Sequence, residues 1–298
     1  MNTQSNMASE SRLERRDLSK AVTGAVRPLY WSVRRELWEN PSVYIAPLAA
    51  AGLFIVGFVI SAIRTRIDMN SPLFLTHGHE LAPALIMGTA FIVGVFYCLD
   101  ALYGERRDRS ILFWKSLPVS DVTVVISKLA IPILILPLLS FIITVITQFL
   151  MFALSSAVFA GSGANIASIW SEASFIRVPA IWLYHLVTVH GLWYAPLYAW
   201  LLLVSAWAPR APFLWAFLPP FVVYGVEKIA FNTSYFLSFM EFRLGGPQMG
   251  MAPSGRAQGS ASLIPHHFFS EPGLWTGLAF AAVLLYATMQ LRRSRSPI

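Results

Sequence analysis

Charged residues are scarce in this 298-residue chain: they make up 12% of the sequence, against 56% hydrophobic residues. Soluble domains usually carry about 25% charged residues, so the composition argues against a water-soluble protein. Cysteine is nearly absent, and the one residue, Cys98, allows neither an intrachain disulfide nor a thiolate metal cluster. The sequence also lacks a Gly-x-x-x-x-Gly-Lys-[Ser/Thr] phosphate loop. This chain is therefore not expected to hydrolyse ATP itself.

Six apolar runs have about the length that a helix needs to cross a bilayer. They cover residues 43–63, 82–102, 121–157, 178–206, 213–230 and 272–291. The sequence therefore predicts an all-α membrane protein with six transmembrane helices. The third run is longer than a bilayer requires, and bends are expected at Pro132 and Pro137. Pro219-Pro220 is expected to break or kink the fifth run, because two backbone donors are missing there.

The runs divide the chain into regions. A polar N-terminal tail has no early apolar core followed by a small-residue cleavage site, so no cleaved signal is expected. Ser120 or Asp121 is expected to cap the third run. The predicted regions are the tail (1–26), an interfacial helix (27–41), the transmembrane domain (42–291) with a loop (104–121) and an outer segment (231–271), and a basic tail (292–298).

Residues 27–41 have the pattern of an amphipathic helix that lies on a membrane surface. Tyr30, Val33 and Leu37 align on one helical face. The face opposite is predicted to be polar and contains Ser32, Arg35, Glu36 and Glu39. Two tryptophans and several arginines are typical of an interfacial helix. The residues assigned to the interface are Tyr30, Trp31, Arg34, Arg35, Leu37 and Trp38. The alternative is a soluble helix packed on a partner.

Lysine and arginine are distributed unevenly between the two sides of the predicted bundle. Sixteen fall on the side that holds both termini and the 104–121 loop, and six fall on the other side. The positive-inside rule then predicts cytoplasmic termini, and we expect a multi-pass protein of the bacterial inner membrane. The net charge of +7 is explained by this placement, so nucleic-acid binding is not expected.

The loop at 104–121 carries more apolar residues than a solvated connection needs. A charged group is followed by an aromatic and aliphatic stretch that ends at a proline. The charged residues are Glu105, Arg106, Arg107 and Asp108, and the stretch contains Ile111, Leu112, Phe113, Trp114, Leu117 and Pro118. We interpret this loop as a docking surface. The alternative is a loop that lies on the membrane with Trp114 among the headgroups.

This chain resembles a permease subunit of the ABC-2 family, the membrane-embedded half of an ATP-driven exporter. The resemblance rests on Arg34-Arg35-Glu36-Leu37 before the first span, on the Glu105–Ser120 loop with Leu117-Pro118-Val119-Ser120, on Lys128, and on the six-span layout. It covers the chain from about Arg27 onward. One departure is visible, because Arg109-Ser110-Ile111-Leu112 stands where many members have a Gly-Thr-Leu-Glu-like stretch.

The resemblance implies that the loop forms a short cytoplasmic coupling helix seated in a groove of a separate ATPase. Ile111, Phe113, Trp114 and Leu117 would dock, and Pro118 would end the helix. The charged residues Glu105, Arg106, Arg107 and Asp108 would steer the approach. ATP and magnesium would be bound by the partner ATPase and no cofactor by this chain. Two permease chains would form a homodimer in contact with membrane lipids.

Polar residues inside the spans are candidates for a translocation path, because ionisable groups at membrane depth are often functional. They are His185, His190, Thr147, Gln148 and Glu227. Structural roles are the alternative: hydrogen bonds to carbonyls for the histidines and contacts between helices for Thr144, Thr147 and Gln148. Glu227 is alternatively expected to pair with Lys228 or to reach the membrane surface.

The histidines outside the spans do not predict a metal site, and three other functions are alternatives to the permease. His77, His79, His266 and His267 lie in outer segments, but their spacing does not favour a metal site, and none is predicted. The alternative functions are an ion- or proton-coupled secondary transporter, a membrane-embedded enzyme, and a non-transporting membrane anchor. The substrate is not identified by the sequence, although the aromatic and aliphatic spans favour an amphipathic or lipid-like cargo.

Overall fold

Helices form all the regular secondary structure in the residues that the computed structural model describes, which are 27–67, 73–112, 119–159, 177–245 and 268–294. No β-strand occurs in these ranges. In chain order the α-helices are α1 (27–39), α2 (Ser42–Ile67), α3 (Leu73–Ala101), α4 (Tyr103–Arg107), α5 (Asp121–Ala130), α6 (Leu136–Phe159), α7 (Arg177–His185), α8 (Ala195–Trp207), α9 (Pro212–Phe231), α10 (Tyr235–Gly245) and α11 (Pro272–Ser294). Two π-helical segments (Ile131–Ile135 and Leu186–Trp193) and a 3₁₀ turn (Phe268–Ser270) accompany them, and residues 110–112 are also helical.

Five helical stretches of the described chain are long and apolar enough to cross a membrane. They are Ser42–Arg64, Leu81–Arg107, Asp121–Ala157, Pro212–Phe231 and Pro272–Ser294. A sixth span results if Trp182–Trp193 and Ala195–Trp207, which meet at an angle of 45°, count as one. The chain is therefore an all-helical, multi-pass membrane protein by length and composition of its helices. The unbroken stretches agree closely with the predicted runs.

The fourth predicted run is not one straight helix. It passes from α7 through the π-helical segment to Tyr194, and α8 begins at Ala195. Pro196 has no N–H with which to continue the ladder, and the Tyr194 N–H donates instead to the carbonyl of Val189, five residues back. The backbone N–H that Pro196 lacks and the wider π-helical turn before it together account for the 45° bend.

The third run is irregular at one of its two prolines. Pro132 lies in the π-helical segment Ile131–Ile135, whereas Pro137 lies in the first turn of α6. A π-helical turn is a known way to accommodate a local disruption of a helix. The predicted cap is also present: the Ser120 hydroxyl accepts a hydrogen bond from the Thr123 N–H at 3.1 Å.

Pro219 and Pro220 do not break the fifth run, contrary to the expectation from sequence. Helix α9 continues through both. Pro220 lacks the N–H that would bond to the carbonyl of Ala216, and Trp200 Nε1 from α8 donates to that carbonyl instead, at 3.2 Å. A neighbouring helix thus satisfies a carbonyl that a proline has freed, as an apolar environment requires.

Replacing Trp200 with phenylalanine should destabilise the chain by about 1–3 kcal/mol, because the buried Ala216 carbonyl would lose its donor. The measurement is unfolding by SDS in mixed micelles, followed by circular dichroism. Trp38→Phe is the matched control, since Trp38 is 72% exposed and makes no indole hydrogen bond within the described chain. Equal midpoints for the two variants would contradict this role of Trp200.

The main core lies between α3, α8 and the π-helical segment that follows α5. Tyr97 and Cys98 of α3 pack there against Tyr198 and Leu202 of α8. Helix α9 lies at the edge, with Ala216 as its buried residue. The apolar surface of α9 is consequently available to lipid or to another protein.

Candidate functional site

Four charged side chains are buried together at one end of the bundle, where water cannot solvate them. Glu36, Glu105, Lys128 and Arg292 each have no more than 6% of their surface exposed. We call these four residues the charge cluster. They come from α1, α4, α5 and α11, of which only α4 and α5 are close in sequence. Within the cluster two carboxylates face two cations, and a further buried cation, Arg106, bonds to backbone carbonyls nearby.

Lys128 is the centre of the cluster. Its Nζ lies 2.8 Å from Glu36 Oε1 and 3.2 Å from Glu105 Oε1. The second oxygen of Glu36 accepts a hydrogen bond from the Tyr97 hydroxyl at 2.8 Å. One ammonium group therefore links helix α1 to α4 and to the base of the third span.

Arg292 extends the cluster to the last helix. Its Nη2 lies 3.3 Å from Glu105 Oε2, and its Nε lies 3.6 Å from Asp121 Oδ1. Asp121 is partly exposed and also faces Arg293 Nε at 3.8 Å. Glu105 thus receives one cation at each of its oxygens, which fixes α4 between α5 and α11.

Arg106 connects α4 to the end of α8 through backbone groups. Its Nη1 donates to the carbonyls of Ala206 and Ala208, at 2.8 and 3.1 Å. The Ser205 hydroxyl oxygen accepts from the N–H groups of Leu102 and Tyr103. These bonds satisfy terminal groups of two helices that would otherwise lack partners.

The loop presents a different surface from the one that the sequence suggests. Glu105 and Arg106 were expected to steer a partner, but both are buried and hold the fold together. Ile111, expected to dock, is 2% exposed and packs inward, whereas Leu112 is 58% exposed. Arg107 and Asp108 remain on the surface, where they pair with each other. Three predicted docking residues, Phe113, Trp114 and Leu117, lie outside the described residues, and so does Pro118, which was predicted to end the helix.

The departure from the ABC-2 pattern falls at an unusual backbone position. Arg109 follows the end of α4 with φ at 58°, in the left-handed region. Glycine adopts this conformation without steric cost, whereas other residues are strained there by about 1–2 kcal/mol. Arg109 therefore occupies a turn position that glycine would fit at a lower steric cost.

Arg109→Gly should leave the fold intact and change its stability by less than about 1 kcal/mol. Arg109→Val should lower it by about 1–3 kcal/mol, because a β-branched residue is least compatible with positive φ. Thermal unfolding in detergent checks both. A valine variant as stable as the glycine variant would contradict the left-handed turn.

Helix α1 is rotated relative to the prediction. Glu36, expected on the polar outer face, is buried in the charge cluster, while Val33 and Leu37 pack against the main core. Trp31 and Trp38 are exposed, and so is Tyr30. The apolar face therefore contacts protein, and the exposed face is aromatic. Periodicity identified the helix, but the ion pair with Lys128 decided which residues face inward.

The other end of the bundle holds a second group of contacts. Arg243 of α10 lies 4.5 Å from the ring centroid of Trp193 and donates to the carbonyl of Gly273. Partial burial lowers the pKa of Arg243 from its usual value. Trp193 Nε1 in turn donates to the Arg243 carbonyl at 2.8 Å. Gly277 leaves the space that the guanidinium occupies.

The predicted path residues have local partners. His190 is buried, and its Nε2 lies 3.1 Å from the Tyr198 hydroxyl. Thr147 donates to the carbonyl of Ile143 in its own helix, so this bond is not the contact between helices that the sequence suggested. Gln148 is half-buried in α6, and the side chain of His185 lies outside the described residues. The described contacts do not bring these residues into one site.

Glu227 caps a helix. Its oxygens accept from the N–H groups of Tyr235 and Phe236 at 2.6 and 2.9 Å, and from the Thr233 hydroxyl. These are the first N–H groups of α10, which have no partner within that helix. A carboxylate at a helix N-terminus is favourable, so stabilising the start of α10 is the role that the contacts support.

No group of three histidine, cysteine, aspartate or glutamate side chains is placed to hold a metal within the described ranges. Cys98 is buried and free. Comparison of the chain with protein-family models, with curated proteins and with solved structures returned no match.

The sequence pattern pairs Lys128 with no acid, and it predicts solvated positions for Glu36 and Arg292 that the structure does not bear out. The available signal was an ionisable residue inside an apolar run, since such a residue needs a partner at the same depth. The partner could not be chosen from sequence, because Glu36 is 92 residues away.

Proposed function

We propose that this chain is the permease subunit of an ABC-2 type exporter in a bacterial inner membrane. ATP hydrolysis by a separate cytoplasmic ATPase would move a substrate across the membrane. The observation that carries the proposal is the charge cluster, in which Lys128 joins α1 and the loop helix α4 to the third span. A loop that is to transmit force to a bundle needs such a rigid connection.

The proposal implies the following sequence of events. Closure of two ATPases on ATP displaces the loop at 104–121, where Leu112 is exposed. Glu105 passes the displacement to Lys128 at the base of the third span and to Arg292 at the base of the last one. Because packed helices move as units, the spans then re-pack around a central path. A homodimer is part of this proposal, and the apolar surface of α9 is the surface it would use.

The test is purification of the full tagged chain from its native host in mild detergent. We expect an ATPase with a phosphate-binding loop to co-purify and to hydrolyse ATP in the eluate. Leu112→Asp and Trp114→Asp should each lower its recovery at least tenfold, because a charge in the apolar centre of an interface costs more than about 1.4 kcal/mol.

Phe269→Asp is the matched control, since Phe269 is a large apolar residue about as exposed as Leu112 but precedes α11 at the end opposite Arg292. This variant should retain the ATPase. A chain that purifies alone, or one whose ATPase survives both loop substitutions, would overturn the proposal. ATP-independent transport by that chain would favour the secondary transporter instead.

A further inference from the structure

Helix α1 has an exposed stripe that the fold itself does not use. Trp31 and Trp38 are 60% and 72% exposed, and Arg34 lies between them. The Cζ atom of Arg34 is 5.2 Å from the ring centroid of Trp31 and 4.9 Å from that of Trp38. Arg27 falls on the same helical face, four residues before Trp31. We call Arg27, Trp31, Arg34 and Trp38 the α1 stripe.

The positive charge of the α1 stripe is not neutralised by the described chain. Arg34 has no carboxylate within ion-pair distance among the described residues, whereas its neighbour Arg35 pairs with Glu39 at 2.6 Å. The acid nearest in sequence, Glu36, points inward to Lys128. A guanidinium held between two indoles is pre-organised to receive an anion, and phosphate is a preferred partner of arginine.

The position of α1 selects the source of that anion. The helix ends at residue 39, and the first span begins at Ser42, so the stripe lies at the level of the membrane surface. Exposed tryptophans at this level insert among lipid headgroups. Arg27 and Arg34 have no carboxylate within ion-pair distance in the part of the chain that the structure describes. They therefore favour a headgroup with net negative charge over a zwitterionic one, whose own ammonium group offsets its phosphate.

We propose that the α1 stripe binds the phosphate headgroup of an anionic membrane phospholipid, with Arg34 as the principal ligand and the two indoles flanking it. The inference rests on the membrane location of the chain and does not depend on the exporter proposal. Because Glu36 lies two residues from Arg34 and on the opposite face, headgroup binding acts on the helix that the charge cluster holds.

The experiment uses the full chain in nanodiscs of zwitterionic lipid, titrated with phosphatidylglycerol or phosphatidylcholine brominated near the glycerol. Bromine quenches the fluorescence of any nearby tryptophan, and the chain has ten, so the part of the quenching that is lost in Trp31→Phe with Trp38→Phe reports lipid next to these two residues. We expect about a fivefold preference for the anionic lipid, reduced at high salt. Arg34→Gln should lower the preference to nearly one, and Trp31→Phe with Trp38→Phe should remove most of the lipid-selective quenching.

Arg210→Gln is the matched control: it removes the same charge from an exposed residue in the turn before α9 and should keep the preference. Unfolding midpoints in detergent establish that each variant is folded. Equal quenching by the two lipids, or an unchanged preference in Arg34→Gln, would overturn the proposal. So would a bound protein that shields Trp31 and Trp38 from both lipids, because the stripe would then be a protein-docking surface.

Discussion

Lys128→Met is expected to destabilise the folded chain by about 3–5 kcal/mol, the usual cost of removing one partner from a buried ion pair. Methionine fills a similar volume but leaves Glu36 without a cation and Glu105 with Arg292 alone. We expect a lower midpoint of SDS-induced unfolding. We also expect faster proteolytic cleavage just C-terminal to α1, because Glu36 would no longer hold that helix.

Lys228→Met is the control for this substitution, because Lys228 is exposed near the end of α9. It should change the unfolding free energy by no more than about 0.5 kcal/mol. Adding Glu36→Gln to Lys128→Met removes the unpaired carboxylate, and the double-mutant cycle should give a coupling of about 1–3 kcal/mol. Additive effects of the two substitutions would contradict the pairing.

Arg292→Met is expected to lower the free energy of unfolding by about 3 kcal/mol, which is the lower end of the range for removing one partner of a buried ion pair. Both acids keep another cation, since Glu105 retains Lys128 and Asp121 retains Arg293. The loss should appear in the unfolding free energy and in increased exposure of the end of α11 to protease.

The adjacent Arg293 provides a closely matched control. Its side chain is 58% exposed, against 3% for Arg292, and its Nε lies 3.8 Å from Asp121. Arg293→Met should cost less than about 1 kcal/mol, as is typical of an exposed pair. Similar losses at both positions would mean that Arg292 is not held in the cluster.

Features that depend on neighbours along the chain were predictable from the sequence. The apolar runs predicted the spans within a few residues at most ends, because a helix that crosses lipid needs a continuous apolar surface. A cap at Ser120 or Asp121 was predicted, and Ser120 provides it, because its hydroxyl accepts from a backbone N–H three residues away. The disturbance at Pro132 was expected for the same local reason.

Features that depend on residues distant in the chain could not be predicted from the sequence. Pro219-Pro220 was expected to disrupt its helix, but Trp200 compensates from another span. Ile111 was expected outside and is buried, where it lines a small cavity together with Leu102, Ala206 and Arg292. In each case the residue type predicted the usual environment of such a residue, and packing against a distant part of the chain gave it a different environment.

The sequence by itself determined that this is a membrane protein, where its apolar helices lie and which helix precedes them. Tertiary structure alone decided which charges meet. Lys128, Glu36, Glu105 and Arg292 are separated by long stretches of chain, and nothing in their spacing selects one pairing over another. Burial makes the pairing obligatory, because a charge removed from water must find its opposite within a few ångströms, and only the packed bundle brings these four together.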